Sequence, residues 1–381
     1  VKKHHLIVLI SIILFTSHTI LSARIGETGQ VISLENASQI EPSITIQAEQ
    51  LESVLDVTIS NDDSKLLLRN NFDSSLLELW TLEDSSLQST LIPLQDEPIW
   101  HVEFSNDDMA IAIQQDKLLQ VWNTNSGSVL ASIDGRFSQM RMFPIDYMLA
   151  YVGLTESEIE GLWDGDDYIT VYDYANNAEV LQLDHMKSHL FDINQDGSKL
   201  ISASSDGSIR LWDISIISEE PSYTTIRNAD NQTIFTLGFV DENLFHFSLS
   251  DDRSFHLWDY ESNQAVEPRY QIDTSPIDKT IFQTRLDDLS SFQIWDASAN
   301  RDLMTINELD YHFMDVSSNL QLGISIPDSK TVELVNIATG DILKSIEMNC
   351  EFACSAALSH DDSYLATWGE GNIVTIWTVP D

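Results

Sequence analysis

Basic residues are scarce in this chain. Its 381 residues hold 19 Lys and Arg against 61 Asp and Glu, a formal net charge of −42. A nucleic-acid backbone needs a basic footprint, and docking on anionic lipid needs basic clusters, so charge argues against both partner classes. The acid excess fits a solvated surface suited to salty or exported conditions, or a surface for cations or basic partners. Cysteine is almost absent as well. Cys350 and Cys354 are the only two, too few for a four-ligand zinc site. Four residues of extended strand cover roughly 13 Å, beyond disulfide reach, so a bridge between them requires a turn. Without a turn they are two small, semi-buried residues at the start of a strand.

The motifs of catalysis are missing too. No Gly-rich phosphate loop follows a strand, and neither His-Glu-x-x-His nor Gly-x-Ser-x-Gly occurs. The ten histidines are scattered without metal-ligand spacing on a recognisable element. The expectation is therefore no catalytic residues, no cofactor and no metal.

The longest apolar stretch is Leu6–Phe15, interrupted only by Ser11 and too short for a bilayer span of about 20 residues. It follows the positive Lys2-Lys3-His4-His5, and the small residues Ser22 and Ala23 come next. Residues 1–23 read as a signal peptide, either cleaved or retained as an anchor, which implies an exported protein. No cysteine lies nearby to carry a lipid. The initial Val reads as an alternative bacterial start codon. Residues 24–36 read as a linker.

What the chain has in abundance is one pattern. Leu190–Ile214, LFDINQDGSKLISASSDGSIRLWDI, splits into three β-prone runs parted by Asp196-Gly197 and Asp206-Gly207. Asp-Gly between such runs supplies the positive φ of a tight hairpin turn. The closing run ends in Trp212-Asp213, and the same slot recurs along the chain. Trp80, Trp122, Tyr172, Trp212, Trp258, Trp295, Val335 and Trp377 fill it, at spacings of 37 to 50 residues and about 42 on average. The opening runs recur as VTISNDDSKLLL, VEFSNDDMAIAI, FDINQDGSKLIS and AALSHDDSYLAT. Each alternates, turns on carboxylates and resumes. A repeat of this length with four strands per unit and no 3.6-residue period is what a β-propeller requires. Eight closing strands predict eight blades, with seven as the runner-up.

Trp163 lies 41 residues after Trp122 and mimics the period, but the strand-turn-strand pattern places Tyr172 in the slot and Trp163 in a lengthened loop. The 37-residue spacing before Trp295 predicts a unit with a shortened first strand. Four residues follow Trp377, so the last unit lacks a fourth strand, while Ala37–Gln47 offers a spare one. Closure without a raw edge predicts that residues near Gln39–Gln47 pair with the strand ending at Trp377.

With these residues assembled, the chain resembles the WD40-repeat family over residues 37–381. The resemblance implies a ring of four-stranded blades that serves as a rigid platform for protein or peptide partners. It also implies a hydrogen-bonded set of Trp212, Ser202 and Asp206 with a His ahead of the first strand. His185 lies within one position of that place. These are architectural residues, because a buried indole N–H needs a partner and a turn carboxylate can anchor the network.

The favoured reading is an exported, non-catalytic, monomeric ring that binds protein or peptide partners. The alternative is an enzyme on a propeller scaffold, either a hydrolase with carboxylates in the channel or a quinone-dependent dehydrogenase. Propellers of the latter kind share turns such as Ala338-Thr339-Gly340 but dock a Trp shortly afterwards, where this chain has Lys344 and Ala131. Convergent channel carboxylates or histidines with perturbed pKa would favour the enzyme, and an aromatic patch would favour the binder. The one loop with a distinctive composition is Glu156–Asp167, where Trp163 stands among Asp164, Asp166 and Asp167. It could be a solvated loop, an aromatic anchor for a basic partner, or a calcium loop. The ordered Asp-x-Asp-x-Asp-Gly ligand spacing is missing from it.

Overall fold

In this computed structural model the described residues are 30–380, apart from 52, 55, 71–75, 92–96, 145–146, 155–167, 186–187, 216–220, 252, 271–273, 277–279, 287–291, 307–311, 329, 349, 351–353 and 370. The expected signal segment 1–23 lies outside them. So does the loop with Trp163, Asp164, Asp166 and Asp167.

The chain forms eight four-stranded antiparallel sheets, the blades of a propeller. In seven of them the strands follow chain order, from innermost to outermost. Blades 1 to 7 span residues 56–91, 99–134, 136–184, 188–227, 234–266, 274–306 and 312–347. Blade 8 is built from both ends of the chain. Its inner three strands are Cys354–Leu358, Leu365–Gly369 and Ile373–Thr378, and its outer strand is Glu41–Gln47. Glu41 pairs with Thr378 and Gln47 with Ile373, so the ring closes as the spare N-terminal strand predicts. Packing reaches back into the segment read as a linker: Ile32 is fully buried, and its N–H donates to the Asp362 carbonyl.

Each irregular spacing has a visible cause. Blade 6 begins with a three-residue inner strand, Thr274–Pro276, which is the shortened first strand expected before Trp295. In blade 3 the third strand is Tyr168–Asp173, with Tyr172 opposite Leu149, as Trp212 stands opposite Leu200 in blade 4. The Cα atoms of Cys350 and Cys354 are 5.8 Å apart and the two are disulfide-bonded at the entry to blade 8.

Apolar side chains on the two faces of each blade meet those of its neighbours. Among the described residues they form eight buried clusters, one at every blade–blade interface. That between blades 3 and 4 joins Ala150, Val152 and Ile169 to Phe191, Leu200 and Trp212. At about 25 cal/mol per Å² of apolar surface, such clusters supply the main driving force for closure.

Inner strands all run the same way, so the ring has two distinct faces. The upper face is where inner strands begin, and the lower face carries the turns that link them to the second strands.

Candidate binding surfaces and central cavity

The repeat position of blade 4 is satisfied by a directional chain of hydrogen bonds. Trp212 Nε1–H donates to Ser202 Oγ at 2.8 Å, and Ser202 Oγ lies 2.7 Å from His185 Nδ1. On its other edge, His185 Nε2 lies 2.9 Å from Ser208 Oγ, which donates to Asp206 Oδ1 at 2.6 Å. One arrangement satisfies every donor: a neutral imidazole with its proton on Nε2, passing the sequence on to the carboxylate. Burial pushes the His185 pKa down to about 4, with Arg210 adding to the shift, which keeps the ring neutral. Asp206 therefore reaches His185 through Ser208, a residue that the sequence reading left out.

Other blades satisfy the same indole differently. Trp295 and Trp377 donate to second-strand hydroxyls, Thr284 and Thr367, both at 2.9 Å. Blades 1 and 2 have Leu68 and Ile113 at that place, so the acceptor moves to the Trp strand itself. Trp80 donates to Glu78 Oε2 at 2.8 Å and Trp122 to Gln120 Oε1 at 3.2 Å. Trp258 and Tyr172 turn outward to Asn263 and Asn177. Val335 needs no partner. Glu78 does more, because its carboxylate also accepts the backbone N–H groups of Glu49, Gln50 and Leu51. It thereby ties down the segment that leaves the closing strand.

The paired acids of the lower turns divide their work. The first closes its own turn, as Asp62 does by accepting from Ser60 Oγ and Ser64 N. The second reaches the preceding blade. Asp63 accepts from His360 N and Asp361 N, Asp108 from Asn61 N and Asp62 N, and Asp362 from Ser318 N. All three are buried, with φ between +55° and +59°, a region Asp tolerates. These staples join blades 7, 8, 1 and 2. In blade 4 the equivalent residue is Gly197, also at positive φ and without a carboxylate; in blade 3 that place lies outside the described residues.

A cavity of about 760 Å³ opens beside the blade 4 turn, lined by inner-strand residues of blades 2 to 5 and by the turn residues Asn61, Asn106 and Asn194. Its polar groups bridge neighbouring blades. Glu103 accepts from Met142 N, Gln139 exchanges two bonds with the backbone of Phe191, and Asp192 accepts from Phe239 N. Arg141 is the one Lys or Arg among the lining residues. Its Nε is 3.7 Å from Asp192 Oδ1, and its Nη1 is 3.4 Å from His101 Nε2.

At the upper face, the inner strands of blades 2 to 5 each carry a bulge at the same place. The bulged residues are Trp100, Ser138, His189 and Phe235. Bulges re-aim side chains. Here they leave Trp100 54% and Phe235 71% exposed, large values for aromatic side chains.

The family model described as WD domain, G-beta repeat matches residues 179–213, the span that contains His185, Ser202, Asp206, Ser208 and Trp212. The chain carries a WD40-type repeat there, within an eight-bladed propeller. It is 25% identical over 133 residues to Mitochondrial division protein 1 of Candida glabrata, covering 33% of this chain and 18% of that protein. It is 21% identical over 233 residues to Nuclear distribution protein PAC1 of Arthroderma otae, covering 54% and 50%. The chain thus spans half or less of the length of these curated relatives. The crystal structure of the computationally designed Ika8 protein superposes with a TM-score of 0.62, covering 88% of this chain and 99% of that one. At 14% identity this is a likeness of fold.

Proposed function

We propose that this WD40 propeller is an exported, non-catalytic platform that holds a protein or peptide partner at its upper face. The observation that carries the reading is the pair of exposed aromatics, Trp100 and Phe235, at equivalent bulges on one mouth of a closed ring. Aromatic anchors of this kind dominate binding energy at protein interfaces. The channel polar groups support the same reading, because Glu103, Gln139 and Asp192 are engaged in holding neighbouring blades together. Export rests on the N-terminal charge and apolar pattern.

The test is capture of partners from the exported fraction by the intact chain and by a Trp100→Ser, Phe235→Ser double variant, at low and high salt. Capture that survives salt and is lost in the double variant, at an unchanged melting temperature, supports the reading. Equal capture by both proteins refutes it.

A further inference from the structure

We propose that the lower face carries a second docking surface, over the turns of blades 2 and 3, for a protein segment in which basic residues flank an apolar one. It stands apart from the upper-face reading above, so that one ring holds two partners on opposite faces.

The surface is a departure from the repeat. In blades 1 to 7 the N–H that follows the third strand donates to the carbonyl of the residue just before the second strand, which fixes one equivalent position on the lower face. Five blades place a polar residue there: Ser64, Ser198, Asn243, Thr280 and Gln321. Blades 2 and 3, adjacent in the ring, place Met109 and Tyr147 instead, and these are 42% and 56% exposed. The Ser64 hydroxyl closes its own turn by donating to Asp62. A thioether donates no proton, so Met109 gives its turn no such bond.

The two side chains belong to one surface. Tyr147 meets Tyr174 edge-on with ring centroids 5.8 Å apart, and Tyr174 is buried in the cluster between blades 2 and 3 with Ala110 and Ala131. The Tyr174 hydroxyl lies beside Ser105 and Asp107, in the turn that carries Met109. Val129 is also exposed and shares a strand face with Ala131, which extends the surface towards the rim. Contiguous apolar surface is costly to leave in water and marks a contact site. A thioether beside an aromatic ring adapts to the shape of what it meets.

Charge selects the occupant. Residues 105–109, 123–129, 143–148 and 173–177 are the lower turns of these two blades, and they hold four Asp and neither Lys nor Arg. A second copy of a chain with net charge −42 brings like charge to this surface, and so does anionic lipid. A segment with lysine or arginine beside a large apolar side chain meets both the Met109–Tyr147 surface and the carboxylates of Asp107 and Asp173.

The test titrates the full chain calorimetrically with a short synthetic peptide alternating lysine and leucine, and with two controls, serine in place of leucine and glutamate in place of lysine. Saturable binding of the lysine–leucine peptide is expected, with both controls weaker, and this reads the surface on the unaltered chain. A Met109→Ser, Tyr147→Ser double variant should weaken it about tenfold or more. Ser is what blades 1 and 4 carry at this position, so the variant should melt within a few degrees of the parent chain. The Trp100→Ser, Phe235→Ser variant should bind the peptide as the parent does, which separates this result from the upper-face capture. Equal affinity in the lower-face variant, equal binding of the serine control, or loss of binding in the upper-face variant would each overturn the proposal. So would a dimer in sedimentation, or retention on phosphatidylglycerol vesicles, that the lower-face variant abolishes, since either puts a different occupant on the surface.

Discussion

Blades 7, 8, 1 and 2 and blades 3, 4 and 5 share one topology and differ in how neighbours are joined. In the first arc, buried turn carboxylates grip the backbone of the preceding blade, and Glu78 of blade 1 holds three backbone donors of the segment that leaves the closing strand. In the second arc, Gly197 stands where the staple of blade 4 would be, inner-strand side chains such as Gln139 and Asp192 carry the bridging, and a cavity opens. Acidity in this chain is partly structural: an Asp at positive φ serves both the turn and the neighbouring blade.

Breaking the first arc should have the largest effect. Deleting residues 24–48 removes the outer strand of blade 8 and exposes its edge, so the product should aggregate on size-exclusion chromatography. A monomeric product with an unchanged melting point would show that the closure is dispensable. Next, Trp212→Ala in the second arc should cost about 3–5 kcal/mol in denaturant unfolding, from its cavity and the orphaned Ser202–His185 chain, while leaving upper-face capture intact. Asp63→Ala should cost about 2–4 kcal/mol, because two backbone N–H groups lose their acceptor at the seam between blades 8 and 1.

The arcs should also respond oppositely to pH. His185 and His246, in the second arc, both have pKa values pushed down to about 4. The unfolded chain therefore takes up those protons first. The stability they lend is full above about 6.5 and is lost as pH falls towards 4. His360, in the first arc, is held above its ordinary value by the hydrogen bond to Asp63, so its contribution is full below about 6.5 and is lost as pH rises through the raised pKa. Melting temperatures between pH 4.5 and 8 should show a smaller acid-side loss in His246→Phe and a smaller alkaline-side loss in His360→Asn. The smallest effect should come from Gly197→Asp, which installs the staple acid in blade 4. The cost of a non-glycine residue at φ +72° and the new bonds should cancel to within about 1 kcal/mol.

Much of the architecture was legible in the residues because periodicity is a local property. The spacing of Trp80, Trp122, Tyr172, Trp212, Trp258, Trp295, Val335 and Trp377 counts the blades, and the unmatched Ala37–Gln47 supplies the closing strand. Two further signals were readable after the fact: the Asp pair repeated in three turns, and an acceptor two residues before Trp80 and Trp122 where the second-strand hydroxyl is missing. The central cavity had no such signal. Its polar lining residues Glu103, Gln139, Arg141 and Asp192 come from three separate repeats, and no one repeat announces that they share a space.

The sequence by itself determined the repeat, the number of units and the way the ends meet, since these follow from alternation and spacing along the chain. Only the tertiary structure decided which acids staple blades, where the ring stays open and which aromatics reach solvent. Those outcomes depend on residues about 40 to 300 positions apart meeting across blade interfaces, and local pattern carries no information about such meetings.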